Sequence, residues 1–142
     1  MGENTIIEQL KLLNHLMEYG RKDVVKGEQL TQSQCYILRY LFMKGEKELC
    51  ATDIHMVLGI SKASISTLLK GLKQEGYLTM ISDPEDDRKK QIRLTKKAYE
   101  MEERIDYGFA QMQEMMLKGI SQNDRMVLER CLKQMSKNLK EE

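Results

Sequence analysis

Apolar positions recur at helical spacing along most of the chain. Over residues 5–19, Ile6, Leu10, Leu13 and Met17 stand at steps of three and four, which is one stripe of a helix. Gly20 and the polar run 20–29 end it. Leu30-Thr31-Gln32-Ser33-Gln34-Cys35 then opens a second helix. Thr31 is its N-cap, Gln34 completes a capping box, and Leu30 and Cys35 stand where a hydrophobic staple would. Ile37, Leu38, Leu41 and Phe42 form the buried face, and Gly45 is suited to the C-terminal stop. A short helix follows, capped by Thr52 and packed through Ile54, Val57 and Leu58, and Gly59 permits a tight turn. Ser61 caps the next helix, which runs to about Glu75 and stops at Gly76. Its Ile65, Leu68, Leu69 and Leu72 share one face.

The pattern changes after Gly76. Residues 77–82 are β-formers, and residues 91–94 alternate polar and apolar, so the two read as a hairpin around the turn 83–87 with its single Pro84. Thr95 caps a long helix over about 96–118, with Ala98, Met101, Ile105, Phe109, Met112 and Met116 in its stripe. Gly119 breaks it. Ser121 caps a last helix expected to bury Leu128, Cys131 or Leu132, Met135 and Leu139. The fold class is therefore mainly α with one hairpin, an α+β winged helix. Three segments are expected: 31–97 as a winged helix-turn-helix head, and 1–30 (a helix and connector) and 98–142 as a second helical layer.

On the capped helix before the hairpin, Ala63, Ser66, Thr67, Lys70 and Gln74 face away from the leucine stripe. A small, hydroxylated and basic face of this kind suits a groove of DNA, with the hairpin beside it as a wing. Charge placement agrees. The 142-residue chain has a net charge of only +1, yet residues 52–97 hold nine Lys/Arg against six Asp/Glu, a net of +3. Any nucleic-acid surface is thus local, in the head, where phosphates need it.

Other chemistries find little support. Cys35, Cys50 and Cys131 stand singly, and His15 and His55 are far apart, so no disulfide framework, zinc spacing or hydrolytic triad is present in the pattern. No metal, cofactor or catalytic residue is expected. No run approaches the ~18 apolar residues of a membrane span, and the start has no basic end or long apolar stretch. A soluble, cytoplasmic protein without membrane contact is expected.

The segments Gly59-Ile60-Ser61-Lys62-Ala63-Ser64-Ile65-Ser66, Leu72-Lys73-Gln74-Glu75-Gly76-Tyr77-Leu78, Asp83-Pro84-Glu85-Asp86-Asp87-Arg88 and Ile92-Arg93-Leu94-Thr95 resemble, in order and spacing, the MarR (multiple antibiotic resistance regulator) family of bacterial transcription regulators. The resemblance covers most of the chain. It implies a homodimer whose terminal helices, in 1–30 and 98–142, interdigitate as the dimerisation layer, bound to pseudo-palindromic double-stranded operator DNA, most often as a repressor. It also implies release by a small, often aromatic, ligand between head and dimer layers, or by thiol oxidation. Two departures stand out: Asp87 replaces a second arginine common in relatives, and Ala98 replaces a usual glycine.

Carried onto this chain, Ser66, Thr67 and Lys70 are candidates for base edges, with Ala63 on the same face. Ser61, Lys62 and Ser64 are candidates for phosphates near the helix N-terminus. Arg88 is the candidate wing residue for the minor groove, with Asp86 as its support and Lys89 and Lys90 as backbone contacts or plain solvating charges. Tyr19, Tyr36, Tyr40 and Phe42 either line an effector pocket or pack between helices. Cys35, in the first turns of a capped helix, is the candidate redox residue, because a helix N-terminus lowers thiol pKa. The alternative function is a winged-helix module that binds protein through the same polar face.

Overall fold

The computed structural model describes residues 5–19, 25, 28–45, 51–83 and 85–140. Among them the order is α1 (Ile6–Tyr19), α2 (Gln32–Lys44), α3 (Ala51–Leu58), α4 (Lys62–Gln74), β1 (Leu78–Asp83), β2 (Asp86–Leu94), α5 (Lys96–Met116) and α6 (Gln122–Lys140). This is the mainly helical winged-helix class expected. Two compact units divide the chain, Met1–Gly108 and Phe109–Glu142.

In the first unit α2, α3 and α4 pack on one another and α4 leads into β1. The core is Cys35, Ile37, Leu38 and Leu41 of α2, Ile54 of α3, and Ile65, Leu69 and Leu72 of α4. Leu78, Ile92, Ala98, Met101 and Ile105 complete it from the hairpin and α5. The capping box at α2 is formed as the sequence dictates. The Thr31 hydroxyl accepts from Gln34 N at 3.1 Å, and the Gln34 side chain accepts from Thr31 N at 3.0 Å. Such a cap contributes about 1 kcal/mol. Phe42 is half-buried, its ring 5.9 Å from that of Tyr99 on α5.

Several local expectations are corrected. α3 begins at Ala51, so Thr52 lies inside its first turn rather than capping it. Val57 is 59% exposed, although it follows the buried Ile54 at helical spacing. The second strand starts at Asp86 rather than Gln91. Backbone pairing with β1, not side-chain alternation, extends it. Its register jumps from Ser82↔Lys90 to Asp83↔Asp86, which leaves Asp87, Arg88 and Lys89 in an irregular stretch near the tip. Pro84 lies outside the described residues.

The second unit holds the end of α5 and all of α6. Ser121 caps α6, its hydroxyl accepting from Asp124 N at 3.1 Å. Arg125 closes the turn from α6: its guanidinium donates to the carbonyls of Leu117 at 2.9 Å and Ile120 at 3.1 Å. The Leu117 carbonyl, just past the end of α5, also accepts from Ile120 N at 3.0 Å, and a cation suits this end of the helix. In the single chain the α6 stripe lies open: Leu128 and Leu132 are each 41% exposed, Leu139 is 78% exposed, Cys131 is exposed and Met135 is half-buried. One helix and the end of another are too little chain to cover such a stripe.

Candidate nucleic-acid interface

α3, the turn 59–61 and α4 make the helix-turn-helix. Gly59 turns the chain at φ 68°, a conformation favoured by glycine because it has no Cβ. His55 on α3 donates from Nδ1 to the carbonyl oxygen of Ile60, across the turn. Ser61 then caps α4, its hydroxyl accepting from Ser64 N at 3.2 Å. Two side-chain ties thus set where α4 starts.

α4 buries Ile65, Leu69 and Leu72 and half-buries Leu68. That fixes its rotation. Ser61, Lys62, Ala63, Ser64, Ser66, Thr67 and Lys70 are all exposed, as is Gln74. The Thr67 hydroxyl donates to the carbonyl of Ala63 at 3.2 Å, and the Ser61 hydroxyl donates to the Ser64 hydroxyl at 2.9 Å. The helix carries Lys62, Lys70 and Lys73 and no carboxylate. Its exposed side therefore combines rotatable hydroxyls, positive charge and an N-terminal dipole end, groups able to hydrogen-bond phosphate oxygens and base edges.

The hairpin leaves α4 through a Schellman turn. Gly76, at φ 82°, donates to Lys73 O at 3.0 Å, and Tyr77 N to Leu72 O at 2.9 Å. Leu78 and Ile92 point into the core while Thr79, Ile81 and Arg93 are exposed, the alternation of a half-buried ribbon. The base of the hairpin is anchored by residues far apart in sequence. Thr95 donates to Gly76 O at 2.6 Å, and Lys97 to Glu75 O at 2.6 Å. The Lys97 ammonium sits 4.4 Å from the centre of the Tyr77 ring. The Tyr77 hydroxyl donates to Glu28 at 3.4 Å, and Arg104 of α5 meets the other oxygen of that carboxylate at 3.4 Å. Burial pushes the Tyr77 pKa up, and the Glu28 charge and its hydrogen bond push it further. These anchors are what sequence reasoning missed. Thr95 was legible only as a helix cap, and Glu28 lies 49 residues from Tyr77 and 76 from Arg104. The side chains of Asp86, Asp87, Arg88, Lys89 and Lys90 lie outside the described residues.

Of the four candidate pocket aromatics, Tyr36, Tyr40 and Phe42 have described side chains, and these three are not brought together. A groove of about 790 Å³ runs beside α4, lined among others by Asn14 and Glu18 of α1, Gln32 and Tyr36 of α2, and Ser64 and Thr67 of α4. Of the four, Tyr36 lines it. Tyr40 is buried with the Lys44 ammonium 5.8 Å from its ring centre, Phe42 lies against Tyr99, and the Tyr19 side chain is outside the described residues. The expectation of a depressed thiol pKa at Cys35 is corrected. The residue is fully buried, and burial pushes the thiol up to about 12, overriding the helix N-terminus. Among the described residues no group of three or more His, Cys, Asp or Glu could hold a metal ion, and no helix is long and apolar enough to cross a membrane.

Residues 30–98 match the winged helix DNA-binding domain family. The chain is 33% identical over 85 residues to the HTH-type transcriptional repressor YetL of Bacillus subtilis (strain 168), covering 60% of this chain and 48%, about half, of that repressor. It is similar over nearly its whole length to the crystal structure of the transcription regulator MarR from Oenococcus oeni PSU-1, with a TM-score of 0.71, 26% identity, and coverage of 94% of this chain and 99% of that one. The chain is thus similar to the transcription regulator MarR over nearly its whole length, and it carries a winged helix DNA-binding domain at residues 30–98. The S. aureus MepR–DNA complex has the same fold, with a TM-score of 0.79 at 22% identity over 95% and 96% of the two chains. The window matched to the winged-helix family closes just past Thr95 and Lys97, the residues that fasten the wing.

Proposed function

We propose that this chain is a dimeric, cytoplasmic, DNA-binding transcriptional regulator that represses from a pseudo-palindromic operator and is released by a small ligand. The observation that carries the reading is the exposed, carboxylate-free side of α4, hydroxylated and basic, presented beside an anchored hairpin. The relative in Bacillus subtilis is described as a transcriptional repressor, and the MepR structure holds DNA. In this reading α4 enters the major groove, where Ser66, Thr67 and Lys70 meet base edges. Ser61, Lys62 and Ser64 meet phosphates, Ala63 lets the backbone approach, and Arg88 with Lys89 and Lys90 follows the neighbouring backbone, Asp86 supporting Arg88. Segments 1–30 and 98–142 form the dimer layer. Support for a second copy comes from apolar side chains left exposed on α1 (Ile6, Leu10, Leu13) and on α6 (Leu128, Leu132, Leu139). The groove beside α4 is the ligand site. The chain has no catalytic role in this reading.

Footprinting on DNA upstream of its own gene tests this. A protected, roughly two-fold symmetric site is expected, with affinity that falls steeply and linearly on a log–log plot against salt. Ser66→Ala and Thr67→Ala should each lower the preference for that site over random DNA by about 1–3 kcal/mol. A protein with no DNA affinity at low salt would instead be a protein-binding module. Unchanged preference in both variants would remove α4 as the reading element.

A further inference from the structure

The groove beside α4 has an unusual charge. Its volume of about 790 Å³ is that of a site for a small organic molecule. The described residues lining it supply amides (Asn14, Gln32), hydroxyls (Ser33, Tyr36, Ser64, Thr67) and aliphatic surface (Val57, Leu58, Ile60, Leu68). Glu18 is the one charged side chain among them, and it is a carboxylate. Ser33 donates to it at 3.4 Å, which ties α1 to the start of α2 and holds the negative charge at the groove. An anion entering here would shed water, meet no cationic side chain among these residues, and face Glu18. A cation would gain that carboxylate and the Tyr36 ring. The first turns of α2 and α4 also reach the groove and carry partial positive charge. Their leading amides are already engaged, Gln34 N by the Thr31 hydroxyl and Ser64 N by that of Ser61. With those amides engaged, the two dipoles together leave less than about one charge, spread over several amides, whereas Glu18 concentrates a full charge on two oxygens.

We propose that this groove binds a small organic cation with an aromatic or apolar body, and that the cation and DNA exclude one another. Exclusion follows because Ser64 and Thr67 line the groove and also belong to the exposed side of α4. The exclusion rests on the DNA-reading role of α4 proposed above; the cation site does not. It gives the ligand a charge sign, which neither the fold nor the family match supplies.

Two probes of nearly the same shape and opposite charge decide it: tetraphenylphosphonium and tetraphenylborate, titrated into the full-length, DNA-free protein in sodium buffer by calorimetry. The phosphonium should bind saturably, one per subunit, and at least about tenfold more tightly than the borate. Glu18→Gln should weaken the phosphonium by about tenfold and shrink the gap between the probes, with an unchanged circular dichroism spectrum and unchanged operator affinity in the absence of ligand. Tyr36→Leu should weaken the phosphonium while leaving the gap. Equal binding of the probes, a preference for the borate, or a Glu18→Gln protein that binds like wild type would overturn the cation site. In the competition arm, operator Kd by fluorescence anisotropy should rise in proportion to free phosphonium. Glu18-dependent binding with unchanged operator Kd would overturn exclusion and leave the site standing. A protein that binds no DNA would remove the reading of α4, while the calorimetry would still decide the site.

Discussion

The proton on His55 Nδ1 points at the carbonyl oxygen of Ile60, so one imidazole spans the turn between the two helices of the helix-turn-helix. A carbonyl can only accept, which places the hydrogen on Nδ1. The bond joins the fourth-last residue of α3 to the residue before the Ser61 cap, so it sets the angle at which α4 leaves the turn. His55→Phe keeps a ring of similar size and removes the donor. The variant should be about 1 kcal/mol less stable, a fall in Tm of about 3 °C by calorimetry. Operator affinity should fall by more than the stability change explains, because α4 starts in a looser orientation. Wild-type operator affinity in a destabilised His55→Phe protein would show that the tie serves stability alone.

Cys35 should be chemically silent in the native protein. In a Cys50→Ser background, Ellman's reagent should modify the exposed Cys131 promptly and reach Cys35 only after denaturant is added. The buried thiol also makes stability depend on pH. Folded Cys35 ionises at about 12, against 9.0 for an ordinary thiol. The unfolded chain therefore loses its proton first. The contribution is whole below pH 9 and is lost as pH rises toward 12. Tyr77, also raised, acts in the same direction above its ordinary value of 10.0. Cys35→Ala should flatten the alkaline fall in urea-melt stability without abolishing it. A melt midpoint with the same alkaline slope in variant and wild type would contradict the burial.

Arg88 lies in the irregular stretch of the hairpin between the pairs Ser82↔Lys90 and Asp83↔Asp86. If it reaches DNA, Arg88→Ala should weaken binding to all sequences, most at A·T-rich flanks where the minor groove is narrow. The salt slope should become shallower by about one for each wing engaged. Asp87→Arg should do the reverse. Anisotropy titrations over a range of salt read both variants, and an Arg88→Ala protein with wild-type affinity and slope would take the hairpin off the DNA.

Leu128 and Leu132 are exposed in the single chain, so replacing both with Glu should leave the subunit folded. If a second copy covers them, two buried carboxylates per subunit would break the interface. Analytical ultracentrifugation should then show monomers where the parent protein is a dimer. A double variant that stays dimeric would move the interface away from α6.

Much of this architecture was written in local sequence. The Thr31 and Ser61 caps, the Ile65-Leu68-Leu69-Leu72 stripe and the Thr95 and Ser121 starts depend on residues within two helical turns of each other, and the structure forms them as read, with Leu68 half-buried. The outward side of α4 followed from the same stripe, since fixing which side is buried fixes the other. Errors fell where a distant partner decides. Val57 has the spacing of a core residue, three positions after the buried Ile54, and is nevertheless 59% exposed. The strand at 86–90 has no alternation to announce it, because its partner supplies the hydrogen bonds. Cys35 was read from its place on one helix, and burial by the rest of the core reversed the expected pKa shift.

The sequence by itself determined the order of elements, the caps, and the placement of hydroxyl and lysine residues on one side of α4, because each is set by backbone hydrogen bonds and side-chain periodicity over one or two turns. Only the tertiary structure decided how the wing is fastened and what charge the groove presents. Thr95, Lys97, Tyr77, Glu28 and Arg104 act through contacts 19 to 76 residues apart. The groove's charge comes from Glu18 on α1 reaching a space walled by α2, α3 and α4. Hydrogen bonds and Coulomb forces act through distance in space, and no local pattern encodes which distant carboxylate, ring or carbonyl will stand within reach.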